Sequence, residues 1–349
     1  MDNLADFIVS ESDIKILQRL EGFLPEKIFD VHAHLYNAEY LPVTAAPGTC
    51  FAQGAAAGGG TADRKVYERF QLPLYPKVKK VRLNVVSAPD PSMEDRMNGN
   101  RARCNEFLIR HLEQNPGDVG EAFVLPDDTD ADVKGLLKHP NIRGFKCYHR
   151  VAAKKPTWQA GIGEYLPESA WRAAEDSGFC ITLHLVKDAA LSDPENIKTI
   201  REKARKYKNA KLILAHAARG FAAWTALDGV KRAAELTNVY FDVSAVCEPT
   251  AIYAVIKAAG AKRVLWGSDF PVSMFRGKCV SLADGFLWLY GKQLKELGVT
   301  SASLVGVESL NAFAQACGML DLSRAAIKDM FYNNAMKMFG LSEREENTV

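Results

Sequence analysis

The chain has 349 residues, 48% of them hydrophobic and 25% charged, with a formal net charge of +2, which describes a soluble globular protein and calls for neither nucleic acid nor membrane as partner. Seven cysteines without a CxxC pair argue against a disulfide framework. Met1 to Asp6 lacks the basic region of a secretory signal and no apolar run reaches membrane-spanning length, so a reducing, cytoplasmic setting is expected.

Ile14, Ile16, Leu17 and Leu20 stand at helical spacing and predict a leading helix over 11–21. Lys27-Ile28-Phe29-Asp30-Val31 then predicts a strand that runs into His32-Ala33-His34. The long segment from Tyr36 to Pro76 has Gly54-Ala55-Ala56-Ala57-Gly58-Gly59-Gly60 at its middle, which cannot supply large side chains to a core and is expected to be a mobile loop. An insertion of that length (about 40–76) suits a lid or an assembly contact with a second copy of the chain. Further strands are expected over 78–86, 121–125, 142–147, 179–184, 212–216, 239–243 and 263–269. Helices are expected over 93–114, 130–138, 167–177, 193–206, 224–236, 250–259 and 282–297.

Alternating strands and helices predict parallel strands, because each crossover returns the chain to the same end of the sheet. Eight such strands fit a closed α/β barrel, the (β/α)8 TIM barrel, in one domain over 1–349. An open doubly wound sheet is the runner-up, but no GxGxxG turn follows the first strand. Two C-terminal helical runs, 305–317 and 323–339, are expected to pack outside the barrel.

The polar residues fall in a pattern. The expected strand ends carry His32, His34, Lys146, His184, His216 and Asp269, so four of the seven histidines stand where a barrel gathers its working residues. His111, His139 and His149 look like surface residues. Imidazole and carboxylate converging on one mouth suit Zn²⁺ first, with Mn²⁺ as the alternative. Asp242 and Asp30 are candidates for orienting a neighbouring histidine. Basic residues crowd the same end: Arg150 after the fourth strand, Lys187 after the fifth, Arg219 after the sixth, Arg276 and Lys278 after the eighth. Arg150 and Arg219 are the candidates for holding a substrate carboxylate through paired hydrogen bonds, with Lys146 beside them.

The HAH motif, the histidines ending strands five and six, and Gly267-Ser268-Asp269-Phe270-Pro271 together resemble the amidohydrolase superfamily. The closing run from Asn333 to Leu341 is similar to its amidohydrolase-related branch of decarboxylases, lactonases and hydratases. The resemblance implies metal ligation by His32, His34, His184 and Asp269. His216 would be a second-metal ligand or a polarising residue. Lys146 sits where binuclear members carry a carboxylated, bridging lysine, so one or two ions are open; its other reading is a substrate-binding lysine.

The leading expectation is a metal-dependent hydrolase acting on a small anionic, carboxylate-bearing substrate, for instance a lactonase, with Asp269 and His216 as catalytic residues. A non-oxidative decarboxylase or hydratase is the alternative. A catalytically inert binding barrel is the third reading; it requires lost ligands, and every proposed position still carries one.

Overall fold

The computed structural model describes residues 9–88, 90, 99–299 and 301–342. Helix α1 (Glu11–Arg19) opens on a capping box in which Ser10 and Asp13 satisfy each other's backbone N–H groups. Eight parallel strands follow in sequential order: β1 (Lys27–Ala33), β2 (Lys80–Val86), β3 (Val119–Phe123), β4 (Ile142–Cys147), β5 (Cys180–Leu183), β6 (Lys211–Leu214), β7 (Val239–Asp242) and β8 (Val264–Leu265). Their near-continuous burial is what a parallel sheet requires, since helices cover its outer face and side chains fill its inner one.

The seam between β1 and β8 is closed by three backbone hydrogen bonds. Val31 N–H donates to Trp266 O (3.0 Å), Asp269 N–H to His32 O (2.8 Å) and His34 N–H to Phe270 O (2.9 Å). The protein is thus a nearly closed (β/α)8 barrel.

Between β1 and β2 lie α2 (Cys50–Ala56) and α3 (Arg64–Gln71); then come α4 (Asn100–Gln114), α5 (Asp130–Leu136), α6 (Glu168–Ser177), α7 (Pro194–Lys206), α8 (Ala223–Ala233) and α9 (Pro249–Ala259). Residues 93–98 of the helix expected over 93–114 lie outside the described residues.

Three expectations change. The glycine-rich insertion is packed structure and not a loose loop: Thr49 caps α2, and Gly54 and Ala55 are buried. Gly54 is buried because it has no side chain, since a Cβ there would stand 2.7 Å from the Tyr36 hydroxyl and 3.1 Å from Pro271. The run expected as a helix over 282–297 is mostly an antiparallel hairpin, β9 (Gly277–Leu282) with β10 (Gly285–Tyr290), and only Gly291–Glu296 is helical (α10). The Ala283-Asp284 turn, followed by Gly285, and the alternation of aromatic with leucine in Phe286-Leu287-Trp288-Leu289-Tyr290 go with strand and not helix. Lastly, the C-terminal tail does more than lie outside. Helix α11 (Val305–Met319) packs on α9, but Tyr332, Met336 and Phe339 join Phe29, Val31, Val119 and Ile213 in one apolar cluster beneath the barrel. The Phe29 and Phe339 rings stack at 5.4 Å.

Candidate metal centre and its cavity

β1 delivers His32 and His34. Its register against β2 shifts between Asp30 and Ala33, and a bulge of this kind re-aims side chains at a strand end. Asp30, fully buried, accepts the N–H of His32 (3.1 Å), the N–H of Ser268 (2.8 Å) and the Tyr67 hydroxyl (2.8 Å), so it ties the β1 end, the β8 end and α3 together. Burial raises its carboxyl to about 6. Gly267 permits the close approach of these ends: a Cβ there would meet His32 Cβ at 2.9 Å and Ser244 Cβ at 3.1 Å.

Three imidazoles have Nδ1 engaged. His34 Nδ1 meets Val86 O (2.9 Å), His216 Nδ1 meets Ser244 O (2.9 Å) and His32 Nδ1 meets Asp242 Oδ2 (3.1 Å). An Nδ1–H donated in this way leaves each Nε2 lone pair for a cation. His34 Nε2 lies 3.4 Å, and His32 Nε2 3.8 Å, from Asp269 Oδ1. Ligand atoms of His32, His216 and Asp269 all fall within 4.8 Å of one another.

The His184 ring stands 5.1 Å from that of His216, and its buried Nδ1 has no hydrogen-bond partner among the described residues. An unsatisfied buried nitrogen costs about 1–3 kcal/mol unless an ion or water completes it. Two imidazoles and a carboxylate, His32, His216 and Asp269, are close enough together to hold a divalent cation, with His34 beside Asp269 and the His184 ring beside His216.

Electrostatics agree. Burial brings His32 down to about 4 against the pull of Asp242, and takes His184 well below its ordinary value, so both rings are neutral near pH 7. Burial opposes ionisation of Asp269, but His216, His34 and His32 outweigh it and hold the carboxyl below its usual range. Burial lowers the pKa of Lys146, while the Glu121 carboxylate pulls the other way.

His216 enters by an unusual route. His216, Ala217, Ala218 and Arg219 all take left-handed backbone (φ 56°, 52°, 59° and 61°). Such a turn costs roughly 1–2 kcal/mol per residue. It persists where the surroundings fix it; here Gly220 N–H closes it on His216 O (2.7 Å) and His216 N–H donates to Asp242 Oδ1 (3.1 Å).

Above these residues lies a cavity of about 270 Å³, walled by Lys146 of β4, by Tyr148 and Arg150 after it, by Phe221, and by Trp288 and Tyr290 of the hairpin. Arg150 reaches it beside Thr44, its Nη1 3.3 Å from the Thr44 hydroxyl. Arg219 does not line it. Its guanidinium donates to Lys187 O (2.5 Å) and lies 5.4 Å over the Phe286 ring. The remaining basic residues are paired for the fold: Arg276 with Asp13 (2.8 Å), Lys278 with Glu308 (3.0 Å) and Lys187 with Asp193 (3.2 Å).

Two histidines expected at the surface are elsewhere. His111 is buried against Asp118 (3.0 Å), and His149 is half-buried beside Tyr148, with Nδ1 3.0 Å from the Thr157 hydroxyl. Among residues that sequence reasoning passed over, Ser244 bonds the Nδ1 of both His216 (2.9 Å) and His32 (3.3 Å). Its position two residues after Asp242, just beyond the strand end, was the available signal.

A family model described as amidohydrolase matches residues 29–341. The chain belongs to the amidohydrolase family. No curated protein matches this amidohydrolase, but solved structures do. An amidohydrolase from Burkholderia multivorans with bound zinc is 14% identical, with 90% of this chain and 99% of that one covered at a TM-score of 0.57. A dihydroxybenzoic acid decarboxylase from Polaromonas sp. JS666 with bound manganese and 2-nitroresorcinol is 16% identical, covering 93% and 100% at 0.57. The 5-carboxyvanillate decarboxylase from Sphingomonas paucimobilis is 12% identical, covering 91% and 100% at 0.54. At these identities the likeness is one of fold.

Proposed function

We propose that this chain is a metal-dependent enzyme acting on a small carboxylate-bearing ring substrate, with hydrolysis of a cyclic ester as the leading reaction. The observation that carries the reading is Asp269 Oδ1 at 3.4 Å from His34 Nε2 on the cavity floor, within the same cavity as Lys146 and Arg150. His32, His34, His184 and Asp269 are the proposed ligands, with His216 completing the set. A divalent ion held there, Zn²⁺ or Mn²⁺, would supply positive charge that polarises a carbonyl and acidifies water.

The protein's own groups do the rest. Asp269, ionised at neutral pH, accepts the proton of the attacking water and returns it to the departing ring oxygen, so that water adds across the ester C–O bond. Lys146 or His216 polarises the carbonyl oxygen from the cavity wall. Arg150 holds the substrate carboxylate. The second reading is non-oxidative decarboxylation of a ring acid, favoured by the aromatic side of the cavity. Bound zinc and manganese in the neighbouring structures support the metal, and the neighbours include decarboxylases.

Metal analysis of the purified protein, with a screen of lactones and aromatic acids that follows acid release and CO₂ separately, tests both readings. Turnover of neither class by the zinc- or manganese-loaded protein would overturn them.

A further inference from the structure

In an eight-stranded ring taken in sequential order, β4 and β8 lie diametrically opposite. The cationic side of the cavity is Lys146 in β4 and Arg150 just after it; the hairpin follows β8, packs on Phe221 after β6 and Glu248 after β7, and lines the same cavity with Trp288 and Tyr290. The hairpin's alternation sends Phe286, Trp288 and Tyr290 to one face and leaves Leu287 on the other, 48% exposed. Trp288 stacks on Tyr290 (5.4 Å, 16°) and meets Phe221 edge-on (5.3 Å), and Phe221 in turn stacks on the His216 ring (5.3 Å, 29°). A continuous aromatic surface therefore runs from His216 on the floor up the wall of the cavity that Lys146 and Arg150 also line.

That wall is fixed. Ser281 N–H donates to Glu248 Oε1 (2.8 Å), the Ser281 hydroxyl to Phe221 O (3.1 Å), and Trp224 Nε1–H to Asp284 O (3.0 Å). Phe286 is held between Phe221 (5.2 Å) and the Arg219 guanidinium (5.4 Å). A wall anchored at both strands and at its turn is already ordered before any ligand arrives, so little ordering entropy is lost on stacking.

We propose that Trp288, seconded by Tyr290, is a specificity-determining residue that selects a flat, unsaturated ring whose carboxylate points across the floor to Arg150. The inference rests on the carboxylate-binding reading of this cavity. Saturated rings of equal charge and similar bulk present hydrogens instead of a π face to the indole and lose the stacking contribution, a penalty of roughly three- to tenfold in affinity.

The test uses the metal-loaded protein and two probes, benzoate and cyclohexanecarboxylate, titrated calorimetrically. The expected result is tighter binding of benzoate by the wild type. Trp288→Leu should bring the two dissociation constants together by weakening benzoate, Tyr290→Leu should do so in part, and Trp288→Phe should keep the preference. Arg150→Met should weaken both acids alike. Equal binding of the two acids by the wild type, or an unchanged ratio in Trp288→Leu, overturns the assignment of the wall while leaving the carboxylate reading intact. Failure of both acids to bind at millimolar concentration overturns the two together.

Discussion

Asp242 accepts the Nδ1 proton of His32 at 3.1 Å while its other oxygen takes the backbone N–H of His216 at 3.1 Å. One carboxylate thus sets the tautomer of the first histidine and the position of another. Carboxylates in this role are worth 10–100-fold in metal affinity. Asp242→Asn is expected to weaken zinc binding by about that factor, measured by competition with a chromogenic chelator, with the far-ultraviolet spectrum unchanged. Unaltered affinity would remove Asp242 from the site.

His184 offers a cleaner test of the ligand set, because its Nδ1 has no partner to lose among the described residues. His184→Ala should leave the purified protein depleted of zinc or manganese, and chelator-treated wild type should regain activity when either ion returns. Full metal content in the variant would show that the ring is no ligand.

Arg150 and Arg219 are expected to part company. Arg150 lines the cavity, whereas Arg219 is spent on Lys187 O and the Phe286 ring. Arg150→Met should raise KM for charged substrates far more than for neutral analogues. Arg219→Met should lower thermal stability and affect both kinds of substrate equally. A larger loss for charged substrates in Arg219→Met would return that residue to the binding machinery.

The insertion should matter through its packing. Phe51 of α2 tilts against His34 at 5.4 Å, and Gly54 abuts Pro271 beyond β8. Gly54→Val places two methyl groups where only 3.1 Å is available to Pro271, an overpacking that costs roughly 1–3 kcal/mol. The variant should melt earlier and turn over more slowly with its metal content kept. Normal kinetics at normal melting temperature would mean that α2 plays no part in the cavity.

Acid should destabilise the metal-free protein. Folded His32 is held at about 4 by burial, below its ordinary value of 6.5, so between those pH values the unfolded chain binds the proton and the folded one does not. The stability that neutral His32 contributes is therefore whole above about 6.5 and declines as pH falls to about 4, by roughly 3 kcal/mol. Melting temperatures of chelator-treated protein from pH 7 to pH 4.5 should fall steadily, and His32→Asn should flatten the slope.

How much of this was legible beforehand depends on which interaction fixed each element. The barrel strands are buried on both faces and announce themselves as apolar runs, and a histidine or aspartate at the end of such a run stands out against them. The hairpin is another matter. Phe286-Leu287-Trp288-Leu289-Tyr290 alternates aromatic with leucine, so both sides of the ribbon are apolar and the polar–apolar period is masked; the Asp284-Gly285 dipeptide at the turn was the plainer signal. The alanine and glycine run of the insertion looked too small to pack, yet Gly54 is buried because the neighbouring surfaces come so near. The left-handed turn at His216 has no local signal at all: His, Ala, Ala and Arg do not favour it, and only tertiary bonds impose it.

The seam between β1 and β8 also governs when the site comes into being. His32 and Asp269 belong to the first and last strand ends of the barrel, and the bonds that close the ring, Asp269 N–H to His32 O and His34 N–H to Phe270 O, are formed by the proposed ligands themselves or their neighbours. Contacts between such distant parts of a chain form late, after the loop-closure entropy of the whole intervening segment has been met. A chain that ends short of Asp269 lacks the one carboxylate of the proposed ligand set, so the full set would stand together only in a molecule whose ring has closed.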